Sequence, residues 1–513
     1  MSRSSHRPHR RRAGLVAAIG LVLAGCAVGP DFKPPPVPAT TAGHPYTAAP
    51  LPDSTASAAG VGGAAQHFEP GQDVPALWWQ VYRSPALDQL IRSAIEHSPT
   101  LASAQAALRQ AQALYAADAG SKQWPGVTGQ LGATRERASQ TSSNVPGGIV
   151  YSLYNASVNV TYALDAFGGT RRELEGLQAQ VDYQRYQVEA AYLSLTANLV
   201  TSAIQEASLR AQLQATHEVI AAQQSALALV ERQAALGAVA QQAVLAQRTQ
   251  LAQTRATLAP LEKSLALTHQ QLAVYAGRLP GDDGLPAFDL GQLQLPRALP
   301  VSLPSALVRQ RPDIRASEAL LHAASAQVGV AVANQYPQIT LSGSVGAQSF
   351  KLDQLFAASS SAWSLGAGVL APIFNGGALR SRREAAQAAF DQAQAQYQQT
   401  VLNAFLNVAN TLRALDLDAQ AMRAQADAES LAQQSLELVT RQYTAGAVSY
   451  LLLLDAQRSL QQTRIGLVQA QALRYADTAA LFQALGGGWW SRGELATAQT
   501  PPAFEPAASA APN

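Results

Sequence analysis

The chain has 513 residues, a formal net charge of +2, 14% charged and 6% aromatic side chains, and one cysteine. Near-neutrality gives no electrostatic case for a nucleic-acid partner, and a lone cysteine excludes an internal disulfide and any multi-cysteine zinc site. The charged fraction lies well below the roughly 25% of ordinary soluble domains; Ala, Gln and Ser fill the gap, which suits thin walls of closely approaching helices.

The N-terminus is basic (Arg3, Arg7, Arg10, Arg11, Arg12), then apolar from Ala13 to Val22, then Leu23-Ala24-Gly25-Cys26. This is the order of a secretory signal, residues 1–25, with an apolar run too short to span a bilayer. Small-small-Cys at the cut resembles a bacterial lipobox, so Cys26 is expected to carry a covalent lipid; Ala27 after it fits export to the outer membrane. Residues 26–75 are expected to form a lipidated, extended segment: Pro30, Pro34, Pro35 and Pro36 stiffen its start, and Ala39 to Gly71 reads as irregular chain.

The body reads as one unit written twice at an offset of about 210 residues. Repeat 1 spans 76–278 and repeat 2 spans 301–487, with the Gly/Pro/Asp-rich stretch 279–300 as linker. In repeat 1, Leu87 to Ala116 reads as helix with Ser98-Pro99 inside it. Strands follow at about 124–138 and 151–165. The second is the plainest in the chain: apolar Tyr154, Ala156, Val158, Val160, Tyr162 and Leu164 alternate with Asn155, Ser157, Asn159 and Thr161. A helical hairpin is expected over 170–277. Its first limb runs to Leu236, turns at Gly237, and returns through Ala240 to Tyr275 with a kink or stagger at Pro260.

Repeat 2 follows suit, with helix from Leu303 to Ala333, strands at about 336–349 and 361–373, and a helical hairpin over 377–485 turning at Gly446. Val401, Phe405, Val408, Leu412, Leu415, Ala419, Met422 and Ala426 step by alternate fours and threes, the seam of a coiled coil. Residues 488–513 read as a flexible tail. Tyr154, Tyr162, Tyr336 and Trp363 sit near strand ends, as a membrane-interface girdle would.

Strands of roughly ten residues with one apolar face have the length that crosses a bilayer when tilted. Open sheet edges cannot face lipid, and four strands cannot close. Homotrimerisation would supply about twelve strands. Two small hairpins packed on soluble helices are the alternative. No catalytic constellation stands out: His97, His217, His269 and His322 are scattered, Gly343-Ser344-Val345-Gly346 lies within a strand, and no phosphate-binding glycine loop is present. An enzyme is not expected, nor a metal or any cofactor beyond the lipid.

Gly25-Cys26-Ala27-Val28-Gly29-Pro30-Asp31-Phe32 resembles the mature start of the outer-membrane efflux lipoproteins. Leu303-Pro304-Ser305-Ala306-Leu307, Arg311-Pro312-Asp313-Ile314, Ala316-Ser317-Glu318 and Ala331 through Pro337 look like their central motif, and Gly446 followed by Leu454-Asp455-Ala456-Gln457 like their second tip. From Cys26 to Gly488 the chain resembles the TolC-like outer-membrane factors, NodT/OprM group.

The resemblance implies a mainly α protein with a membrane β-barrel portion: a trimeric 12-stranded barrel on a long periplasmic α-helical barrel. It implies a cell outer-membrane location, a periplasmic adaptor (membrane fusion) protein and an inner-membrane RND-type pump as partners, and a passive exit duct for small toxic compounds or drugs. An exit duct of a type I secretion system and a non-pore periplasmic coiled-coil lipoprotein are the alternatives. Gly237, Ala243, Tyr443, Gly446 and Asp455 are the candidate tip or aperture residues. The acid that members often carry after the first tip glycine is absent from Ala238 to Ala243, and Val448 and Leu452 stand where charges are usual. Hydrophobic contact between tips, or a leakier resting pore, would then replace a charge-linked gate. Arg311-Pro312-Asp313 is expected to cap a helix.

Overall fold

A computed structural model describes residues 27–36, 46–47, 50–143, 146–302 and 304–492. Cys26, the signal segment, Leu303 and the tail from 493 onward lie outside the described residues. The chain divides into two compact units, one of residues 1–35, 106–185 and 316–398 and the other of 36–105, 186–315 and 399–513.

The first unit is built on a four-stranded antiparallel sheet of β2 (Gly126–Ala138), β3 (Ile149–Leu164), β5 (Gln338–Ser349) and β6 (Ser361–Leu370), in the order β2-β3-β5-β6. Residues 139–148 link β2 to β3 and 350–360 link β5 to β6, so each pair is a hairpin. β3 and β5 join the hairpins, from Tyr154 opposite Ser349 to Leu164 opposite Ile339. The remaining strand ends lead into helices: α2 (Pro99–Gln123) ends before β2, α3 (Gly169–Ala235) starts after β3, α7 (Pro312–Ala333) ends before β5 and α8 (Ala378–Thr444) starts after β6. Small residues let α3 approach α7: a Cβ on Gly169 would stand 3.2 Å from the Ala333 Cβ, and one on Gly176 3.5 Å from that of Ala326.

The second unit holds the far parts of α3 and α8, each 67 residues long in all, about 100 Å at 1.5 Å per residue. Their return limbs are α4 (Gln241–Ala256) with α5 (Leu258–Tyr275), and α9 (Tyr450–Ala484). The break in the first return limb falls at Thr257, because Pro260 has no N–H and its ring would strike the carbonyl of Ala256. α1 (Pro85–His97) is separated from α2 at Ser98, whose hydroxyl accepts from the Leu101 N–H. The single helix expected over Leu87–Ala116 is thus two, Pro99 opening the second. The helix expected from Leu303 is likewise divided before Pro312, into α6 (Pro304–Gln310) and α7.

The seam read from α8 faces inward: Val401, Val408, Leu412, Leu415, Ala419 and Met422 are buried, and Phe405 is half-buried against the core. The core of this unit combines Val408, Leu412 and Leu415 of that seam with Trp78, Trp79, Tyr82, Leu199, Ile204 and Phe482.

Two expectations need correction. Part of the stretch read as irregular chain is a strand, β1 (His67–Pro70), which pairs in parallel with β4 (Ala298–Val301). The fully buried Arg474 guanidinium holds the chain before it, donating to the carbonyls of Gly62 (2.9 Å) and Ala64 (3.0 Å) and to Thr55 Oγ1 (3.1 Å). The 279–300 linker is packed, with Phe288, Leu290, Leu293 and Leu299 buried in the core. Residues 488–492 are docked: the Trp489 Nε1–H donates to Gln310 O at 2.6 Å, and Arg492 pairs with Glu189 and lies 3.8 Å from the Tyr192 ring centroid.

Candidate functional site

Two places carry the functional reading, a two-faced sheet in the first unit and a pair of helical turns in the second. Side chains alternate between the faces of a strand, so the register fixes each face. One face carries the rows Leu164–Ile339–Val369, Tyr162–Leu341–Ala367, Val127–Val160–Gly343–Leu365, Gly129–Val158–Val345–Trp363, Leu131–Ala156–Ala347–Ser361 and Ala133–Tyr154–Ser349. Leu131 (82%), Trp363 (80%) and Leu365 (84%) are almost fully exposed, far more apolar surface than a water-facing sheet carries. The opposite face is polar, with Thr128–Asn159–Ser344–Ser364 as one row; there Ser344 Oγ and Ser364 Oγ share a hydrogen bond of 2.8 Å. Among the described residues, β2 and β6 each pair along one edge only. No described helix is long and apolar enough to cross a membrane.

Of the aromatics singled out in the sequence, Tyr154, Tyr162 and Trp363 lie on the apolar face. Tyr154 is interior to β3, which begins at Ile149. Tyr336 precedes β5 and stacks on Phe167, centroids 4.9 Å apart.

The same unit holds the start of the described chain. Ala27 lies against Gly168, whose added Cβ would come within 2.6 Å of the Ala27 Cα. The Val28 N–H donates to Phe167 O at 3.1 Å. The buried Arg172 donates to Asp31 (2.6 Å) and Glu175 (2.8 Å), with longer contacts to the Val28 and Gly29 carbonyls. Glu175 also meets His322 Nε2 at 2.8 Å. Burial alone would raise the Glu175 pKa; hydrogen bonds from Arg172 and His322 outweigh it and hold the carboxyl below its usual range. Gly29 has φ +96°, and a Cβ on it would strike the Gly329 Cα at 2.5 Å, so only glycine fits. The sequence reading saw no binding role for Arg172, Glu175 or His322.

The helical turns are alike. At the first, the Ala238 N–H donates to Gln233 O and the Gly237 N–H to Ala234 O; at the second, Ala447 donates to Gln442 O and Gly446 to Tyr443 O. Each is a Schellman cap with glycine at positive φ, +76° and +73°. Beneath them Val230, Val244, Val439, Tyr450, Leu453 and Leu454 form a separate apolar cluster, against which Ala243, Tyr443 and Val448 pack. The Tyr443 hydroxyl donates to Gln233 Oε1 at 3.0 Å, and the Tyr450 hydroxyl to the buried Gln247. Burial raises the pKa of both tyrosines. Gly237, Ala243, Tyr443 and Gly446 therefore lie together at the turns, whereas Asp455 is exposed and outside the cluster. Leu236, Leu245 and Leu451 are exposed around it. Arg311-Pro312-Asp313 joins two helix ends: Arg311 donates to Asp313 (2.7 Å) in the first turn of α7 and to Ala484 O (2.6 Å), the last residue of α9.

The family described as outer membrane efflux protein matches residues 90–278 and again 303–487, well over half of the chain. The chain belongs to this family. This efflux protein is 33% identical over 430 residues to the pyoverdine export outer membrane protein OpmQ of Pseudomonas putida, covering 80% of this chain and 88% of the relative. It is 29% identical over 478 residues to the toluene efflux pump outer membrane protein TtgI of Pseudomonas putida, covering 91% and 97%. Among solved structures, the outer-membrane channel OprN superposes with a TM-score of 0.82 at 28% identity, covering 90% of this efflux protein and 100% of that chain. The efflux protein is thus an outer-membrane channel component of TolC-like fold.

Proposed function

We propose that three copies of this chain close a barrel of about twelve strands in the outer membrane, the polar sheet face lining a passive exit duct. The observation that carries this reading is the open four-stranded sheet, apolar on one face and polar on the other, with an unpaired edge on β2 and on β6. Lipid satisfies no backbone hydrogen bond, so those edges must meet each other in neighbouring copies. Leu402, Leu406, Leu417, Leu431 and Leu438 support the assembly: at 3.6 residues per turn they fall on one side of α8 and are all exposed, a second apolar stripe beside the buried seam.

The chain is a tandem repeat. The caps at Gly237 and Gly446 recur about 210 positions apart, as do the similar caps at Gly277 and Gly486. The lipid on Cys26 anchors it beside the end of β3 that leads into α3, where Ala27 is seated. The turns, with Leu236, Leu245 and Leu451 exposed, receive a periplasmic adaptor that connects to an inner-membrane RND-type pump. Apolar contact between turns of neighbouring copies holds the aperture closed, without the charges usual there. Cargo of the kind named for the relatives, pyoverdine or toluene, suits a polar lumen that need only pass it. The test is single-channel recording in planar bilayers together with heat-labile trimers on gels. A monomer without conductance steps would overturn the duct and favour a scaffold lipoprotein.

A further inference from the structure

We propose that Arg135 and Arg137 form a binding site for the phosphate groups of outer-leaflet glycolipids, an inference that rests on the membrane reading above. Both belong to the apolar face. Arg135 stands opposite Ser152 and Arg137 opposite Val150, in the two rows that follow Ala133–Tyr154–Ser349. The register also sets their depth. From the Leu164–Ile339–Val369 row to the Tyr154 row is about ten residues, ~33 Å along a strand. At a tilt of about 40° this is ~25 Å of height, the apolar band of an outer-membrane barrel. Arg135 and Arg137 therefore emerge just beyond the hydrocarbon, at the headgroups.

The leaflet follows from chain connection. The opposite strand ends enter α2, α3, α7 and α8, whereas the arginine end is closed by the hairpin links 139–148 and 350–360. The hairpin end is the outer one.

The two cations stay uncompensated on this face. Glu136, between them in sequence, points to the opposite face, where it accepts from the Tyr151 hydroxyl at 3.1 Å. Among the described residues neither arginine has an ion pair; Arg137 donates one long hydrogen bond, 3.4 Å, to the Gly147 carbonyl. Both are exposed, and Lys351 is exposed on the same rim, two residues past β5. Alternate residues of a strand lie about 6.5–7 Å apart, so one phosphate can bridge both guanidiniums or each can take its own. Arginine binds phosphate through parallel N–H donors. The outer leaflet of this membrane is built of phosphorylated glycolipid, which commits the site to a lipid headgroup.

The experiment uses the full chain purified in detergent. Diphosphorylated lipid A, and the same lipid after phosphatase treatment, are titrated into wild type, Arg135→Gln/Arg137→Gln and Arg135→Lys/Arg137→Lys. Lipid retained by the intact assembly is read by native mass spectrometry. Wild type should prefer the phosphorylated lipid by about tenfold or more, the Gln pair should lose that preference, the Lys pair should keep part of it, and excess inorganic phosphate should not displace the lipid. Equal retention of both lipids by wild type, unchanged retention by the Gln pair, or full displacement by phosphate would overturn the site. Planar-bilayer conductance on the same preparations shows that the variants are folded. A conducting Gln pair with unchanged lipid preference would overturn this site and leave the duct standing, whereas a silent wild type would overturn the duct.

Discussion

Phe32 lies face to face with His322, ring centroids 4.3 Å apart and planes 14° from parallel. His322 shares Glu175 with Arg172, and Arg172 grips Asp31, so the start of the described chain is fastened by one connected set of contacts. Arg172→Ala leaves Glu175 with His322 alone and removes the donor that holds Asp31 and the Val28 and Gly29 carbonyls. Arg172 is buried but Asp31 is exposed, so losing these charge-assisted hydrogen bonds costs on the order of 1.5–3 kcal/mol. Hydrogen exchange over residues 27–33 should quicken while the sheet stays protected; unchanged exchange there would show that the strap is held by something else.

Acid should release the same fastening. The Glu175 carboxyl is held below its ordinary value of 4.5. Its contribution is complete above about pH 4.5 and disappears as pH falls through the depressed native value. Glu175→Gln should remove that pH dependence. Protection factors over residues 27–33, corrected for the intrinsic pH dependence of exchange, that stay unchanged from pH 7 down to pH 2 would contradict it.

Asp477 behaves in the opposite sense. Burial, then a hydrogen bond that the protonated carboxyl donates to Asp418 and the repulsion between the two carboxylates, push its pKa up to about 8, against a smaller pull from Arg474. The native state therefore binds more protons than the unfolded chain between about pH 4 and 8, and stability falls as pH rises through that window. Asp477→Asn should stabilise the protein at pH 8.5 and change little at pH 4, read by denaturant unfolding in detergent. A variant less stable than wild type at pH 8.5 would reverse the assignment.

At the helical turns, Tyr450→Phe strips the buried Gln247 Oε1 of its donor, a loss of about 1–3 kcal/mol. Tyr443→Phe, on the more open neighbour, should cost less. Exchange protection of the turns reports both, and an equal effect would show that the two hydroxyls are equally shielded.

Replacing the turn glycines tests the caps. Ala at position 237 or 446 must enter the left-handed region, costing about 1–2 kcal/mol each. The two costs should match and add within about 0.5 kcal/mol in the double variant. A strongly unequal pair, measured by thermal unfolding, would show that the caps carry different loads.

The strands and long helices were legible because their periods are written over many residues: Tyr154 to Leu164 alternates without a break, and the α8 seam repeats over several turns. β1 was not, because His-Phe-Glu-Pro is only four residues long, ends in proline, and has its partner, Ala298–Val301, far along the chain. Arg172 and Arg474 were hidden for a related reason: a single arginine in a helix reads as a solvated charge until distant carbonyls are brought to it. The docking of Trp489 and Arg492 depends on Gln310 and Glu189 in the same way. Asp455 shows the converse, a motif residue whose sequence neighbours Leu453 and Leu454 are buried while it faces outward.

Because β3 belongs to one half of the sequence and β5 to the other, the seam between the halves lies in the middle of the sheet rather than at its border. In the three-copy barrel proposed above, chains of half this length would have to bring six separate hairpins together. Carrying two hairpins already joined through β3 and β5, this chain would leave three of those six junctions to form between copies.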